Sequence, residues 1–332
     1  MRLRVVLAAL LAVAGALAAL AWLSLTPTPA LGRGPRTVEV PAHVGLTGIA
    51  ARLAEAEVVR SRTGFVLLAL MRGSAGRLRA GEYEVGRGAT TPDVLALLES
   101  GRVKQHLVLH PEGATLAELA RQLERQRLAS AAAIAQLARD PGVLRALGVE
   151  APSLEGYLFP DTYQLVRGLR PEEILARMVE RLRAKLTPDL LARARARGLT
   201  VHQLLTLASI VEREAVARDE QRLIAAVFWN RLRLGMPLQA DPTVQYAVGG
   251  ERRALTRADL QTESPYNTYR YPGLPPGPIA SPGLAAIEAV LDPAPVKYLY
   301  FVARDDRRHQ FSSTVAEHNR AVARWRRLAG TR

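Results

Sequence analysis

Between Val5 and Leu25 the chain carries no charged residue. At 1.5 Å per residue, a helix of that length just crosses the ~30 Å hydrocarbon core of a bilayer. Arg2 and Arg4 precede the run, and cationic flanks tend to stay in the cytoplasm, which predicts that everything after it is exported. A cleaved signal peptide is the competing reading, because Ala16, Ala18 and Ala19 supply small residues. The run is nevertheless longer than a signal h-region of ~7 to 15 residues, and Trp22 near its end suits an interfacial anchor. The expectation is therefore a cytoplasmic tip at 1–4 and a single-pass anchor at 5–25. A linker at 26–37 follows, whose TPTPALGRGPR is too rich in Pro and Gly for an element.

The remaining length leaves room for two or three modules, since single cores rarely exceed ~250 residues. A net charge of +14, from 45 Lys plus Arg against 31 Asp plus Glu, raises the question of an anionic partner. Almost all of these cations are Arg, and no basic run is interleaved with aromatics, so nucleic acid is not expected as a partner. There is no cysteine, which excludes disulfides, thiolate nucleophiles and Cys-bound metals.

From Thr37 the pattern turns to a short strand-like run, Val38 to Val40, and an amphipathic helical stretch from Leu46 to Val59. Tyr83 to Val85 reads as another strand, after which Gly88-Ala89-Thr90 leads into Asp93, Val94 and Leu95. The same phrase returns at Gly113-Ala114-Thr115 before Glu118, Leu119 and Ala120. A strand, a turn and a capped helix used twice predict two small units within 38–150, faintly similar to LysM-type glycan-binding modules. Past Ala151 the texture shifts to denser polar and aromatic phrases, Leu154 to Tyr163. The boundary of a mixed α+β domain, 151–332, is expected there.

Within that domain Thr200-Val201-His202-Gln203 has the form of a capping box, so a helix is predicted from Val201. At about 100° per residue Leu204, Leu207, Ala208 and Val211 share one stripe, and Glu214 lies within roughly 60° of Val211 on it. Glu212 falls at the margin and Arg213 points away. A carboxyl on an apolar face loses water, which raises its pKa and suits it to act as a general acid at neutral pH. The plainer alternative is a boundary residue that turns outward and pairs with an Arg.

A second helix is predicted over Gln221 to Leu234, ended by Gly235, with Leu223, Val227 and Leu234 apolar and Asn230 on the same face, where it must be hydrogen-bonded. In Met236 to Tyr246 polar groups crowd around a Pro-fixed turn, and Asp241 suits a helix cap and a ligand contact equally well. Ser264 to Pro282, with six Pro and three Tyr, has neither helical nor strand period; a loop this long in a compact domain is usually functional or disordered. Tyr266, Tyr269, Tyr271 and Asn267 offer flat faces beside hydrogen-bonding groups, a surface for sugar rings or simply a packed lid.

Read together, Ala208-Ser209-Ile210-Val211-Glu212-Arg213-Glu214, Val227-Phe228-Trp229-Asn230-Arg231-Leu232, Leu238-Gln239-Ala240-Asp241-Pro242-Thr243-Val244, Tyr266-Asn267-Thr268-Tyr269 and Gly273 to Ile279 resemble the endolytic murein transglycosylase (YceG-like) family. Lys297 to Val302, His309-Gln310-Phe311 and Glu317-His318-Asn319 match it too, so the resemblance covers most of 154–320. It implies a carbon–oxygen lyase that cleaves within peptidoglycan strands between N-acetylmuramic acid and N-acetylglucosamine, without water, leaving a 1,6-anhydro end and ending strand elongation. It also implies that the second Glu of E-x-E, Glu214, is the catalytic acid. Glu155, Glu212, Gln239, Asp241, Thr243, Tyr246, Asn267 and Tyr269 become the candidates for holding glycan, with Asp161 and His309 as supporting residues. No metal or cofactor is expected. The domain would face the periplasm or extracytoplasmic space from the inner (cytoplasmic) membrane, with peptidoglycan synthases as candidate protein partners. Arg213, Ala240 and Ala215 depart from residues common in relatives, and Ala215 leaves the surroundings of the acid open.

Two other readings compete. A non-catalytic, anchored glycan-binding protein that recruits wall-synthesis enzymes would need the anchor and the Tyr-rich loop but not Glu214. A pyridoxal-dependent lyase would need a Schiff-base Lys and Gly-rich phosphate turns, and Lys185 and Lys297 stand in no such setting. The six His are scattered with no HExxH, which disfavours a metal hydrolase.

Overall fold

The computed structural model describes residues 2–250, 253–305 and 308–329. Met1 of the expected tip and the last three residues of 151–332 lie outside them. Among the described residues the chain mixes helices with three two-stranded pairs, β1–β2, β3–β4 and β5–β6, whose bounds follow. It divides into two compact units, Met1–His106 with Gln164–Leu169, and Leu107–Tyr163 with Arg170–Arg332. The division thus falls near residue 106 rather than at 150, where the texture of the sequence changes.

In the first unit α1 (Arg2–Leu25) exposes Leu7, Leu10, Leu11 and Leu17, the reverse of a helix built for a water-facing surface. It is long and apolar enough to cross a membrane. The stretch expected to be a bare linker forms a short helix, α2 (Pro29–Arg33), with Thr28 accepting from Leu31 N–H and Leu31 fully buried. Pro29 at the first helical position explains this correction: its fixed φ starts a helix, and its missing N–H costs nothing there.

Next come β1 (Arg36–Val40), α3 (Leu46–Glu55), α4 (Arg62–Met71) and β2 (Gly81–Val85), with Val38 opposite Tyr83 in the antiparallel pair. The helix expected to reach Val59 stops at Glu55, since Glu57 takes φ 56° and Val58 and Val59 turn into the core. α5 (Thr91–Ser100) completes this unit over a core of Val38, Leu53, Phe65, Tyr83, Leu95 and Leu98.

β3 (His106–His110) then leads into α6 (Leu116–Arg125). The echoed phrase has one geometry in both places. Gly88 and Gly113 take φ 74° and 72°, and Thr90 with Asp93 and Thr115 with Glu118 each form a reciprocal capping box. The second unit continues through α7 (Ala131–Leu137), α8 (Pro141–Ala146), the first three residues of β4 (Asp161–Leu165), α9 (Pro171–Lys185) and α10 (Pro188–Ala196).

Next is α11 (Val201–Glu214), opened by the expected Thr200–Gln203 box and buried at every position from Leu204 to Val211. A helix apolar all round belongs inside a domain, and this one packs against α12 (Gln221–Arg233), α13 (Asp241–Ala247) and, beyond α14 (Arg257–Leu260), against α15 (Leu284–Leu291). Leu234, expected on the apolar side of α12, is its exposed C-cap. Asn230 is buried and donates to the carbonyls of Val296 and Tyr298. β5 (Tyr300–Ala303), β6 (His309–Ser312) and α16 (Val315–Ala329) close the chain.

Candidate active site

The last turn of α11 sends three consecutive charged side chains three ways. Glu212 accepts from Gly283 N–H at 3.0 Å and so caps α15. Arg213 donates to Gly113 O at 3.1 Å. Glu214 accepts from the backbone N–H of Asp241, at the start of α13. The divergence is the helical phase itself, 100° per residue.

Glu214 keeps part of its surface open to solvent while protein surrounds its carboxyl closely. Burial, and after it the Asp241 carboxylate, push its pKa up to about 8 against the pull of the Asp241 N–H and the Arg231 guanidinium. A carboxyl desolvated in this way favours its neutral form at pH 7, the form that can give up a proton to an incoming group.

Arg231 enters from α12 and is buried. Its Nε donates to Leu299 O at 2.7 Å. Its Nη1 donates to Pro237 O at 3.1 Å, Leu238 O at 2.9 Å and Gln239 Oε1 at 3.1 Å, and the guanidinium lies 5.3 Å from the centre of the Tyr300 ring. One planar fork thereby holds the turn before α13 against β5. Gln239, in that turn, is exposed with φ 52°, a left-handed conformation uncommon for a side-chain-bearing residue and typical of functional turns.

The other expected glycan contacts separate into two groups. Asp241 is exposed and accepts from the Tyr269 hydroxyl at 2.5 Å. Tyr246 is half-buried, its ring 4.9 Å from that of Tyr266. Asp241 and Tyr269 lie beside Glu214, and Gln239 reaches it through Arg231, whereas Tyr246 stands with Tyr266 and Glu155. Thr243 and Asn267 are fully buried. The Thr243 hydroxyl donates to Ala240 O and meets the Thr268 hydroxyl. Asn267 donates to Leu260 O and Thr262 O and accepts from Tyr269 N–H. Both use their polar groups to hold the Pro-rich loop in shape. That loop is tied to α11 by Ser209 Oγ, which accepts from Ile279 N–H.

Glu155 is also buried, accepting from Leu116 N–H at 3.0 Å and from the Tyr246 hydroxyl; burial pushes its pKa up to about 7. It lies behind Tyr246 and joins α6 to α13. Asp161 pairs with Arg181 at 2.6 Å. His309 Nδ1 bonds Glu220 Oε2 at 2.7 Å, and Glu220 also accepts the His309 N–H.

Arg231, Glu220 and Tyr300 escape a reading of the sequence by motif chemistry. Only Arg231 left a signal: it lies four residues after Val227, on the face of α12 that already carried Asn230.

A mixed α and β unit that sets a carboxyl of raised pKa beside a guanidinium and the Tyr269 phenol has the equipment of a general-acid enzyme. The YceG-like family model matches residues 38–324, and the chain belongs to that family. An endolytic murein transglycosylase of Bacillus subtilis (strain 168) is 32% identical over 304 residues, covering 87% of this chain and 84% of that one. One from Streptococcus pneumoniae serotype 2 is 32% identical over 332 residues, 90% of this chain but 60% of the longer pneumococcal protein. A 2.6 Å crystal structure of a YceG-like protein from Listeria monocytogenes aligns at a TM-score of 0.62 and 32% identity, over 87% of this chain and 99% of that one.

Proposed function

We propose that this chain is a membrane-anchored endolytic murein transglycosylase that cuts peptidoglycan strands internally, at the bond from N-acetylmuramic acid to N-acetylglucosamine, and leaves 1,6-anhydro ends. The observation that carries the reading is the placement of Glu214 at the end of α11, a half-buried residue beside Arg231 and Asp241 whose carboxyl has its pKa pushed up to about 8 by burial. Neutral Glu214 gives its proton to the glycosidic oxygen as the C1–O bond breaks. The carboxylate so formed is stabilised by the Asp241 N–H and by Arg231. It then takes the proton from the sugar's own C6 hydroxyl as that oxygen bonds to C1, which restores the acid. No water is consumed, so one carboxyl serves both steps and the usual glycosidase pair is not required.

Gln239, Asp241, Tyr246 and Tyr269 are the groups proposed to meet the glycan. Thr243, Asn267, Glu155 and Glu212 act behind them, holding the loop, Tyr246 and α15 in place. The β-α-α-β order of the first unit supports a LysM-like, glycan-binding role for it, and α1 is the proposed single-pass anchor with both units outside the cytoplasm. Cutting strands as they are made would terminate their elongation.

The test is digestion of purified peptidoglycan with wild-type and Glu214→Gln protein, with products weighed by mass spectrometry. Anhydro ends weigh one water less than reducing ends. The wild type is expected to release anhydro-ended fragments and the variant none; fragments with reducing ends from the wild type, or unchanged release by the variant, would overturn the mechanism. Glycan binding by both proteins without any cleavage would favour the non-catalytic alternative.

A further inference from the structure

The α4 helix of the first unit has two apolar sides. Phe65 and Ala69 are fully buried, while Leu67, Leu70 and Met71 are 41%, 56% and 84% exposed. Spacings of three and four residues set these three on a single stripe. Outside α1 they are the large hydrophobic side chains that this unit exposes, among the described residues. Isolated exposed apolar residues are ordinary, but a contiguous stripe on one helix marks a surface that something covers.

Its position says what. The helix begins beside the end of α1: Gly64 approaches so closely that a Cβ there would lie 2.8 Å from Ser24 Oγ, and the Arg60 guanidinium sits 5.3 Å from the Trp22 ring. From Arg60 to Arg79 the sequence has five Arg and no Asp or Glu. An uncharged helical run from Thr63 to Met71 with Arg at both ends is the composition of a helix lying in a membrane interface, and such arginines attract anionic headgroups.

We propose that α4 lies in the interfacial layer of the bilayer that α1 crosses, with Leu67, Leu70 and Met71 inserted at the acyl boundary and the exposed Arg60 and Arg72 against anionic phospholipid, while Arg62 and Arg77 are paired with Glu55 and Glu99. This rests on the reading of α1 as an anchor. Three side chains bury far less than the ~1,200 Å² of a stable protein interface, which counts against a second copy of the chain as the occupant. For a bilayer the small area suffices, because α1 already holds α4 at high effective concentration beside the surface. The contact gives the first unit a second attachment point and fixes its rotation about α1.

The absence of cysteine makes the test direct. Met71→Cys and Leu10→Cys, each in the full chain, are labelled with an environment-sensitive fluorophore. The proteins are reconstituted in phosphatidylglycerol–phosphatidylcholine vesicles carrying spin-labelled lipid at shallow or deep positions. The label at 71 is expected to shift to the blue and be quenched by shallow spin labels, and that at 10 by deep ones. Quenching at 10 with a water-like, unquenched label at 71 overturns the proposal and leaves the anchor standing. No quenching at 10 overturns the anchor reading and, with it, the proposal that rests on it. A blue shift at 71 that grows with protein density and ignores lipid quenchers identifies a second copy as the cover, and also overturns the proposal.

Discussion

Tyr269 donates its hydroxyl to Oδ1 of Asp241 across 2.5 Å, and the same Asp241 both donates its backbone N–H to Glu214 and raises the pKa of that carboxyl with its own charge. One residue therefore acts on the proposed acid in opposite senses, through a backbone that stabilises the carboxylate and a side chain that disfavours it. Asp241→Asn removes the second effect and keeps the first. The basic limb of kcat/KM against pH, which should follow Glu214 near 8, is expected to move to lower pH in this variant. An unmoved limb would separate Asp241 electrostatically from the acid.

Arg231→Met should move the same limb the other way, because the guanidinium holds the Glu214 pKa down. It also strips donors from the carbonyls of Pro237, Leu238 and Leu299. Leaving buried acceptors unpaired costs about 3 kcal/mol in total. A lowered melting temperature should therefore accompany the shift, and Arg231→Lys should recover the charge but not the three-way bridge. Calorimetry and the pH profile together separate the two effects.

Tyr269→Phe deletes one hydrogen bond at a half-buried position and should cost about 1 kcal/mol of stability. Because Tyr269 and Asp241 share that bond, the loss of kcat/KM in the Tyr269→Phe, Asp241→Asn double variant should fall short of the product of the single losses. Strictly multiplicative losses would mean that the two residues act on the glycan independently.

The parts of the site that local rules govern were legible in the residues. Thr200 and Gln203 announce where α11 begins, and counting 100° steps from there separates Glu214 from Glu212 and Arg213. The echoed Gly-Ala-Thr phrases announce α5 and α6 for the same reason: a capping box lies within four residues. What long-range contacts govern was not legible. The acceptors of Arg231 lie at 237, 238 and 299, the partner of His309 is Glu220, and neither spacing follows a local period. Thr243 and Asn267 read as ligand contacts, since a polar side chain in a Pro-rich stretch looks the same whether it bonds sugar or its own backbone. The 26–37 segment read as a linker because Pro and Gly break most elements; Pro29 at a helix start is the position where the rule reverses.

Gly156 follows Glu155 with φ 79°, and a Cβ there would lie 2.2 Å from the Cβ of Pro278 in the Tyr-rich loop. Gly156→Ala adds a steric collision to left-handed strain of about 1–2 kcal/mol. Gly168, φ 86° with open space around it, carries the strain alone. Gly156→Ala should therefore lower the melting temperature more than Gly168→Ala. Equal effects would show that the loop can give way at Pro278.

The protonation state of Glu214 is open to test without any substrate. In the unfolded chain this carboxyl has its ordinary value of 4.5, and in the fold it is pushed to about 8. Below 4.5 both states hold the proton and the group leaves stability untouched. Between the two values the folded state keeps a proton that the unfolded state has released, so stability falls as pH rises, and the full loss is reached above 8. Glu155, pushed to about 7, adds a slope of the same sign over a narrower window. Glu214→Gln removes one slope and leaves the other. Thermal unfolding of wild type and variant should then give similar melting temperatures near pH 5 and a growing advantage for the variant towards pH 8, even though the variant is the one expected to lose activity. Parallel curves across that window would place the carboxyl in water, and a carboxyl in water is ionised at pH 7 and has no proton to give.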